Sequence, residues 1–274
     1  MKIITTYILL LAFVVGSYGR YWPCMNLSGT WRNQLGSNMT IETIGDSHRI
    51  TGQYNTSVES SAGASTISSK ISGIVQNVGN GSLIAFNVLW NRGASITAWV
   101  GQCIVCDGEA KLYTTWVLRS LQTPRKRWMS TRINQDTFWR VDDIPQSEQQ
   151  SPSEDGTQNS DILRKWSSVT GDSFDFNQAL ESGGFEGTHS HGSVSGGALY
   201  GRFDGNQTYS AFGFAAAHPT EVKGWTGHIY NAQEPNSAME TSWLQHAFSS
   251  QCNDPRKFVK YGMEDYKKDA VQEE

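Results

Sequence analysis

Beyond its first residues this 274-residue chain has no apolar run that approaches bilayer-spanning length, which excludes a membrane-spanning helix in the body of the protein. It has no excess of basic residues either. The formal net charge is −4, and no Lys/Arg stripe suits nucleic acid. Long stretches of helical apolar spacing are missing, so a helical architecture is not expected. No nucleophile–base pair and no metal motif stands out, which argues against an enzyme and against a metal or organic cofactor. Cysteine occurs only 4 times. Cys103 and Cys106 form a C-x-x-C, but without a second such pair or a His-rich partner it reads as disulfide chemistry rather than zinc or redox chemistry. Four cysteines, Cys24, Cys103, Cys106 and Cys252, allow three pairings, and spacing does not choose among them.

What is present is glycine, 27 residues, and tryptophan, 10 residues. Short β-branched and aromatic runs alternate with turn clusters such as Gly79-Asn80-Gly81 and Asp107-Gly108. This predicts an antiparallel meander. Strands are expected near 28–34, 38–44, 48–54, 69–77, 83–90, 95–104, 110–120 and 127–139. Eight strands over this length suit a closed up-and-down barrel with room for one ligand. Residues 141–161 are acidic and rich in Ser, Gln and Pro, the composition of a flexible linker.

After the linker the pattern returns. Ala98-Trp99-Val100-Gly101 is echoed by Gly224-Trp225-Thr226-Gly227, and Thr115-Trp116-Val117-Leu118 by Ser242-Trp243-Leu244-Gln245. Trp31 is matched by Trp166 and Gly52 by Gly187. The expected fold is therefore all-β, with two tandem eight-stranded antiparallel barrels. The boundaries are a signal peptide at 1–19, a first barrel at 20–140, the linker, a second barrel at 162–262 and a charged, disordered tail at 263–274. Lys2, the apolar run Ile8–Val15 and small residues up to Gly19 have the layout of a secretory leader. Sequons at Asn26, Asn38, Asn55, Asn80 and Asn206 fit a secreted, extracellular glycoprotein.

Tryptophans recur at Trp90, Trp99 and Trp116, with a fourth at Trp128. Ser95, Thr97 and Trp99 lie at two-residue steps and share one strand face. Two hydroxyls and an indole on one face describe a wall for a small, partly polar ligand rather than an aliphatic core.

Several separated motifs carry a family resemblance: Asn33-Gln34-Leu35-Gly36-Ser37-Asn38-Met39-Thr40-Ile41, Gly52-Gln53-Tyr54, Gly101-Gln102-Cys103 and Trp116-Val117-Leu118-Arg119-Ser120. Over about Cys24 to Trp139 the chain resembles the avidin and streptavidin family; the second copy resembles it only in outline. The resemblance implies noncovalent binding of biotin in the first barrel. Asn33, Ser37 and Tyr54 would donate to the ureido oxygen, and Asp136 and Thr56 would accept from the two ureido N–H groups. Trp90, Trp99 and Trp116 would wall the rings, with apolar contact from Leu35 and Leu118. Thr97 would reach the sulfur and Ser95 the tail carboxylate. Trp128 would enter a neighbour's pocket, so the expected partners are biotin and either further copies of the chain or its own second barrel.

The resemblance also implies a Cys24–Cys103 bridge. That leaves Cys106 and Cys252, in predicted loops, to link the two barrels or to bridge between chains. Glu59 and Arg92 depart from the family pattern near the expected tail site. Aligned on the repeat, Asn33, Leu35, Ser37, Tyr54, Trp90 and Trp128 correspond to Ser168, Thr170, Asp172, His189, His218 and Phe258, so the second barrel is expected not to bind biotin. The rival expectations are an extracellular structural or interaction module and a carrier of another small hydrophobic ligand.

Overall fold

The computed structural model describes residues 24–45, 48–58, 68–141, 162–180, 183–192, 194–205, 209–230 and 237–269. The expected leader, nearly all of the linker, Glu59 and Asn206 lie outside these residues. Eight strands, β1 (Gly29–Asn33), β2 (Asn38–Ile44), β3 (Arg49–Asn55), β4 (Ser69–Val78), β5 (Gly81–Trp90), β6 (Ser95–Cys106), β7 (Glu109–Ser120) and β8 (Thr131–Arg140), close into one antiparallel barrel. Eight more close into a second: β9 (Lys165–Ser168), β10 (Asp172–Ala179), β11 (Gly184–His191), β12 (Val194–Gly205), β13 (Tyr209–His218), β14 (Glu221–Tyr230), β15 (Ala238–Ala247) and β16 (Val259–Lys268). Each strand pairs with its sequence neighbours, and closure leaves no sheet edge.

The two barrels repeat one register. Trp31 opens the first core and donates from Nε1 to Leu27 O at 2.9 Å; Trp166 does the same to Ile162 O at 3.1 Å. Gly52 faces Ile41 as Gly187 faces Phe176. A Cβ there would stand 1.8 Å from Thr40 O or 2.0 Å from Asp175 O, so neither position admits a side chain. The loops differ. Asn55 and Ser69 are separated by a long connection, whereas His191 and Val194 are joined by two residues.

The inner face of the first barrel packs Trp31, Met39, Ile84, Phe86 and Phe138, among others; the second packs Phe174, Phe176, Phe212 and Phe214. A third apolar cluster lies between the barrels. Ile74, Leu83, Ala85, Ala98, Val100 and Val117 point out of the first barrel onto Ala215, Ala217, Val222 and Leu244 of the second. That is why β5 and β6 are buried on both faces instead of alternating. Polar ties surround the patch. Gln102 and Ser249 exchange hydrogen bonds of 2.7 Å each way, Arg49 pairs with Glu186 at 2.9 Å, and Glu240 holds Arg119 at 2.9 Å and Arg127 at 3.1 Å. Cys106–Cys252 joins the barrels covalently, and Cys24–Cys103 ties the entry of the first barrel to β6.

Three expectations are corrected. Residues 124–129 form a short 3-10 helix, with Pro124 at its start, so β8 begins at Thr131 and Trp128 is not on a strand. Residues 263–268 of the expected disordered tail are strand, and residues 270–274 lie outside the described residues. The strand part completes β16 up to Lys268, because Tyr266 points into the core while Asp265 and Lys267 face water. Cys106 ends strand β6 rather than lying in a loop.

Candidate functional site

The end of the first barrel where β1 turns into β2 gathers the expected polar groups. Asn33 closes β1, and its Oδ1 accepts from Leu35 N at 3.1 Å and Ser37 N at 2.9 Å. The turn thus consumes the amide oxygen and leaves the Nδ2 donor for the barrel interior. Ser37 opens the way to β2; its Oγ accepts from Ser57 N at 3.0 Å, which leaves its hydrogen to donate. Tyr54, on β3 opposite Met39, is buried and stacks on Trp99 at 5.2 Å and 30°. Burial, then the charge of Asp136, pushes the Tyr54 hydroxyl well above the ordinary phenol value against a hydrogen bond with Ser37, so it remains a proton donor.

Asp136 faces this group from β8. Its Oδ2 accepts from Trp99 Nε1 at 3.3 Å and its Oδ1 from Gln34 Nε2 at 3.4 Å. Burial raises the Asp136 pKa above the ordinary carboxylate value, against hydrogen bonds from Trp99, Trp116, Asn33 and Gln34. The walls are aromatic. Trp99 lies flat on Phe86 at 4.9 Å and 6°, Trp90 meets Tyr54 edge-on at 5.6 Å, and Trp116 pairs with Trp99 across β6–β7. Trp90 Nε1 donates to Thr97 Oγ1 at 2.8 Å, which fixes that indole at the end of β5. Ser95 and Leu118 stand half-buried on β6 and β7, further along the same strands.

Three expected members stand apart. Leu35 is 56% exposed at the turn. Thr56 spends its hydroxyl locally, donating to Val58 O at 2.9 Å and accepting from Val58 N at 3.1 Å. Trp128 is 82% exposed on the 3-10 helix. Arg92 is also exposed, in a turn where its φ of 53° is left-handed. Of the sequon asparagines, Asn26 and Asn80 are exposed, and Asn38 and Asn55 are half-buried.

Two supports were not anticipated. Gln34 braces β8, accepting from Thr137 N at 2.9 Å while its amide reaches Asp136. Its place inside the Asn33–Ile41 motif was the only signal. Arg256 comes from the second barrel and donates from Nη2 to Asp136 O at 2.7 Å and Thr137 Oγ1 at 2.8 Å, and from Nε to Thr114 O at 3.1 Å. The β15–β16 ladder also corrects one correspondence. Phe258 O accepts from Ala247 N as Ser130 O accepts from Ser120 N, so Phe258 matches Ser130, and Arg256 falls at the place of Trp128. Phe258 is 44% exposed.

The second barrel carries different groups at the same end. Asp172 takes the place of Ser37, His189 that of Tyr54, Lys223 that of Thr97 and Glu264 that of Asp136. Trp225 and Trp243 face each other as Trp99 and Trp116 do. His189 Nδ1 meets His218 Nε2 at 2.9 Å, and burial pushes both imidazoles below their ordinary value, so they are neutral near pH 7. Among the described residues no group of three or more His, Cys, Asp or Glu side chains is arranged to hold a metal ion.

The Avidin family model matches residues 22–141, the span of the first barrel. The chain is similar to avidin-related protein 4/5 of Gallus gallus, 35% identical over 118 residues covering 42% of this chain and 78% of that protein. It is similar to Gallus gallus avidin, 30% identical over 138 residues covering 49% of this chain and 90% of avidin. The crystal structure of Xenavidin is 38% identical, with a TM-score of 0.39, over 42% of this chain and 98% of that one. With relatives 35% and 30% identical that it matches over 78% and 90% of their lengths, the chain belongs to the avidin family.

Proposed function

We propose that the chain is a secreted, non-enzymatic biotin-binding protein, and that its first barrel sequesters the vitamin, withholding it from microbes or consumers as a defence. The observation that carries this is the convergence of three hydrogen-bond donors, Asn33, Ser37 and Tyr54, opposite one buried acceptor, Asp136, between indole walls. A cyclic urea presents the complementary set, with an oxygen that accepts and two N–H groups that donate. Donors fixed before the ligand arrives stabilise charge on the ureido oxygen without reorganising, as an oxyanion hole does. Asp136 accepts from one N–H and Thr56 from the other, once the Thr56 hydroxyl turns from Val58. Charge-assisted hydrogen bonds are the stronger kind, so Asp136 matters more than Thr56.

Trp90, Trp99 and Trp116 hold the fused rings, Thr97 touches the sulfur, Ser95 the tail, and Leu35 and Leu118 the rim. Four ordinary hydrogen bonds at about 1 kcal/mol each and one to a carboxylate at about 2 kcal/mol give only modest affinity. The rigid aromatic box supplies much of the remainder, because little freedom is lost on binding. Exposed Trp128 would enter a pocket on another copy, making an oligomer of barrel pairs. Asn26 and Asn80, both exposed, are the favoured glycan acceptors.

Titration of the purified protein with biotin tests this. Saturable tryptophan quenching and release from immobilised biotin by free biotin are expected. A folded, deglycosylated protein that shows neither overturns the reading.

A further inference from the structure

We propose that the second barrel is a cation pocket, which the chain fills with its own Lys223. Lys223 stands on β14 two residues before Trp225, as Thr97 stands before Trp99. Its ammonium lies 4.8 Å from the Trp225 ring and 4.5 Å from the Trp243 ring, so it sits against both indoles that face each other across β14 and β15. Asp172 Oδ2 accepts from Lys223 Nζ at 2.6 Å; the two side chains are 1% and 9% exposed. The same carboxylate accepts from Tyr266 Oη at 3.1 Å and from His191 Nδ1, and stands 3.5 Å from His189 Nε2. Glu264 completes the acidic side, held by the hydroxyls of Tyr266 and Thr170.

The chemistry is that of the first site with its polarity reversed. Where Ser37 and Tyr54 offer hydrogens to an oxygen, Asp172 offers a buried negative charge. Where Thr97 leaves room between tryptophans, Lys223 fills it. A carboxylate beneath two indole faces recognises a cation, by ion pairing and by the negative faces of the rings. An electron-rich ureido oxygen is repelled there. The short β11–β12 turn also removes the loop that could fold over a free ligand. The pocket is therefore a matched site whose ligand is covalently built in, and it belongs to primary ammonium groups. This inference does not depend on what the first barrel binds.

Chemical rescue tests it in the full-length, oxidised protein. Lys223→Ala removes the atoms that n-propylammonium contains. The variant should melt at lower temperature than the parent, and n-propylammonium should restore the midpoint saturably while quenching tryptophan fluorescence. Neutral n-propanol should do neither, and the parent should ignore both. An Asp172→Asn/Lys223→Ala double variant should fold without responding to the amine. Rescue by propanol as strong as by the amine, no rescue at all in a folded variant, or an equal amine response in the parent would overturn the proposal. Should Lys223→Ala not fold, acetylation of the parent decides the matter. Lys223 should react far more slowly than the exposed Lys165 and Lys260, and equal rates would overturn the assignment.

Discussion

The two barrels share strand order, register and the facing tryptophans, yet the same end of each carries opposite chemistry. In the first, Asn33, Ser37 and Tyr54 present hydrogens and Asp136 is the buried acceptor. In the second, Asp172 and Glu264 present charge, and Lys223 neutralises one of them from within. The outward faces of β5 and β6 and of β13 and β14 are mostly apolar or small, because each covers the other, with Asn87, Gln102 and His228 as buried polar exceptions. The barrel plan and an apolar docking face recur in both copies, whereas the interior end differs between them. The scaffold depends on backbone register and on glycines that no side chain can replace; the site depends on a handful of side-chain termini.

The largest expected effect comes from giving one barrel the other's chemistry. Ser37→Asp would put an unpaired carboxylate against a ureido oxygen and cost biotin at least about 3 kcal/mol, more than a hundred-fold in Kd. Trp116→Ala should weaken biotin by a similar or larger factor, as loss of a central aromatic contact does. Trp243→Ala in the second barrel should leave the biotin titration unchanged. Equal losses from the two tryptophan variants would mean that both barrels bind.

Acid should destabilise the fold at the face where the barrels meet. His228 and His246 are buried between them, and burial, with Arg119 beside the first and Arg256 beside the second, lowers each from its ordinary 6.5 to about 4. Between those values the unfolded chain takes up a proton that the folded chain refuses. Stability is therefore full above pH 6.5 and falls as pH drops towards 4, by up to about 3 kcal/mol for each histidine. Urea midpoints at pH 7.5 and pH 4.5 measure this, and a His228→Gln/His246→Gln variant should flatten the difference. Asp172 acts in a separate window. Although burial opposes it, hydrogen bonds from His189 and Lys223 hold its pKa below the usual carboxylate value, so its contribution is lost only in stronger acid.

A smaller effect is expected at the docking face. A Cβ at Gly213 would lie 2.6 Å from Ile96 Cδ1 and 2.8 Å from Asn87 Cβ. Gly213→Val should cost about 1–3 kcal/mol in thermal unfolding while leaving biotin binding to the first barrel nearly intact. The smallest effect is Arg256→Ala. Losing its bonds to Asp136 O and Thr137 Oγ1 should speed biotin release by about five-fold, the equivalent of one ordinary hydrogen bond, with no change in association rate. Unchanged release would show that the second barrel does not brace the first site.

Much of this was legible in order along the chain. Turn clusters and alternating runs located the strands of the first barrel, and the Trp-Gly echoes announced the second. Asn33, Ser37, Tyr54 and Trp116 could be named because the motifs that carry them are local, and Thr97 and Trp99 because they lie at two-residue steps on one strand; the roles of Trp90 and Asp136 rested on the family resemblance alone. The charge of 263–274 concealed a strand, since one inward Tyr266 among outward acids and lysines leaves too faint an alternation. Arg256 could not be found in this way, because it reaches Asp136 across 120 residues from the other barrel.

The amino-acid order by itself determined the two barrels and the different polar and aromatic inventory of each. Those follow from two-residue alternation and from which side-chain atoms donate or accept. Only the tertiary structure decided that the barrels pack face to face, that Cys106 meets Cys252, and that Lys223 lies against its own tryptophans. Contacts between strands far apart in the chain are set by closure and packing in three dimensions, which leave no periodic trace along one.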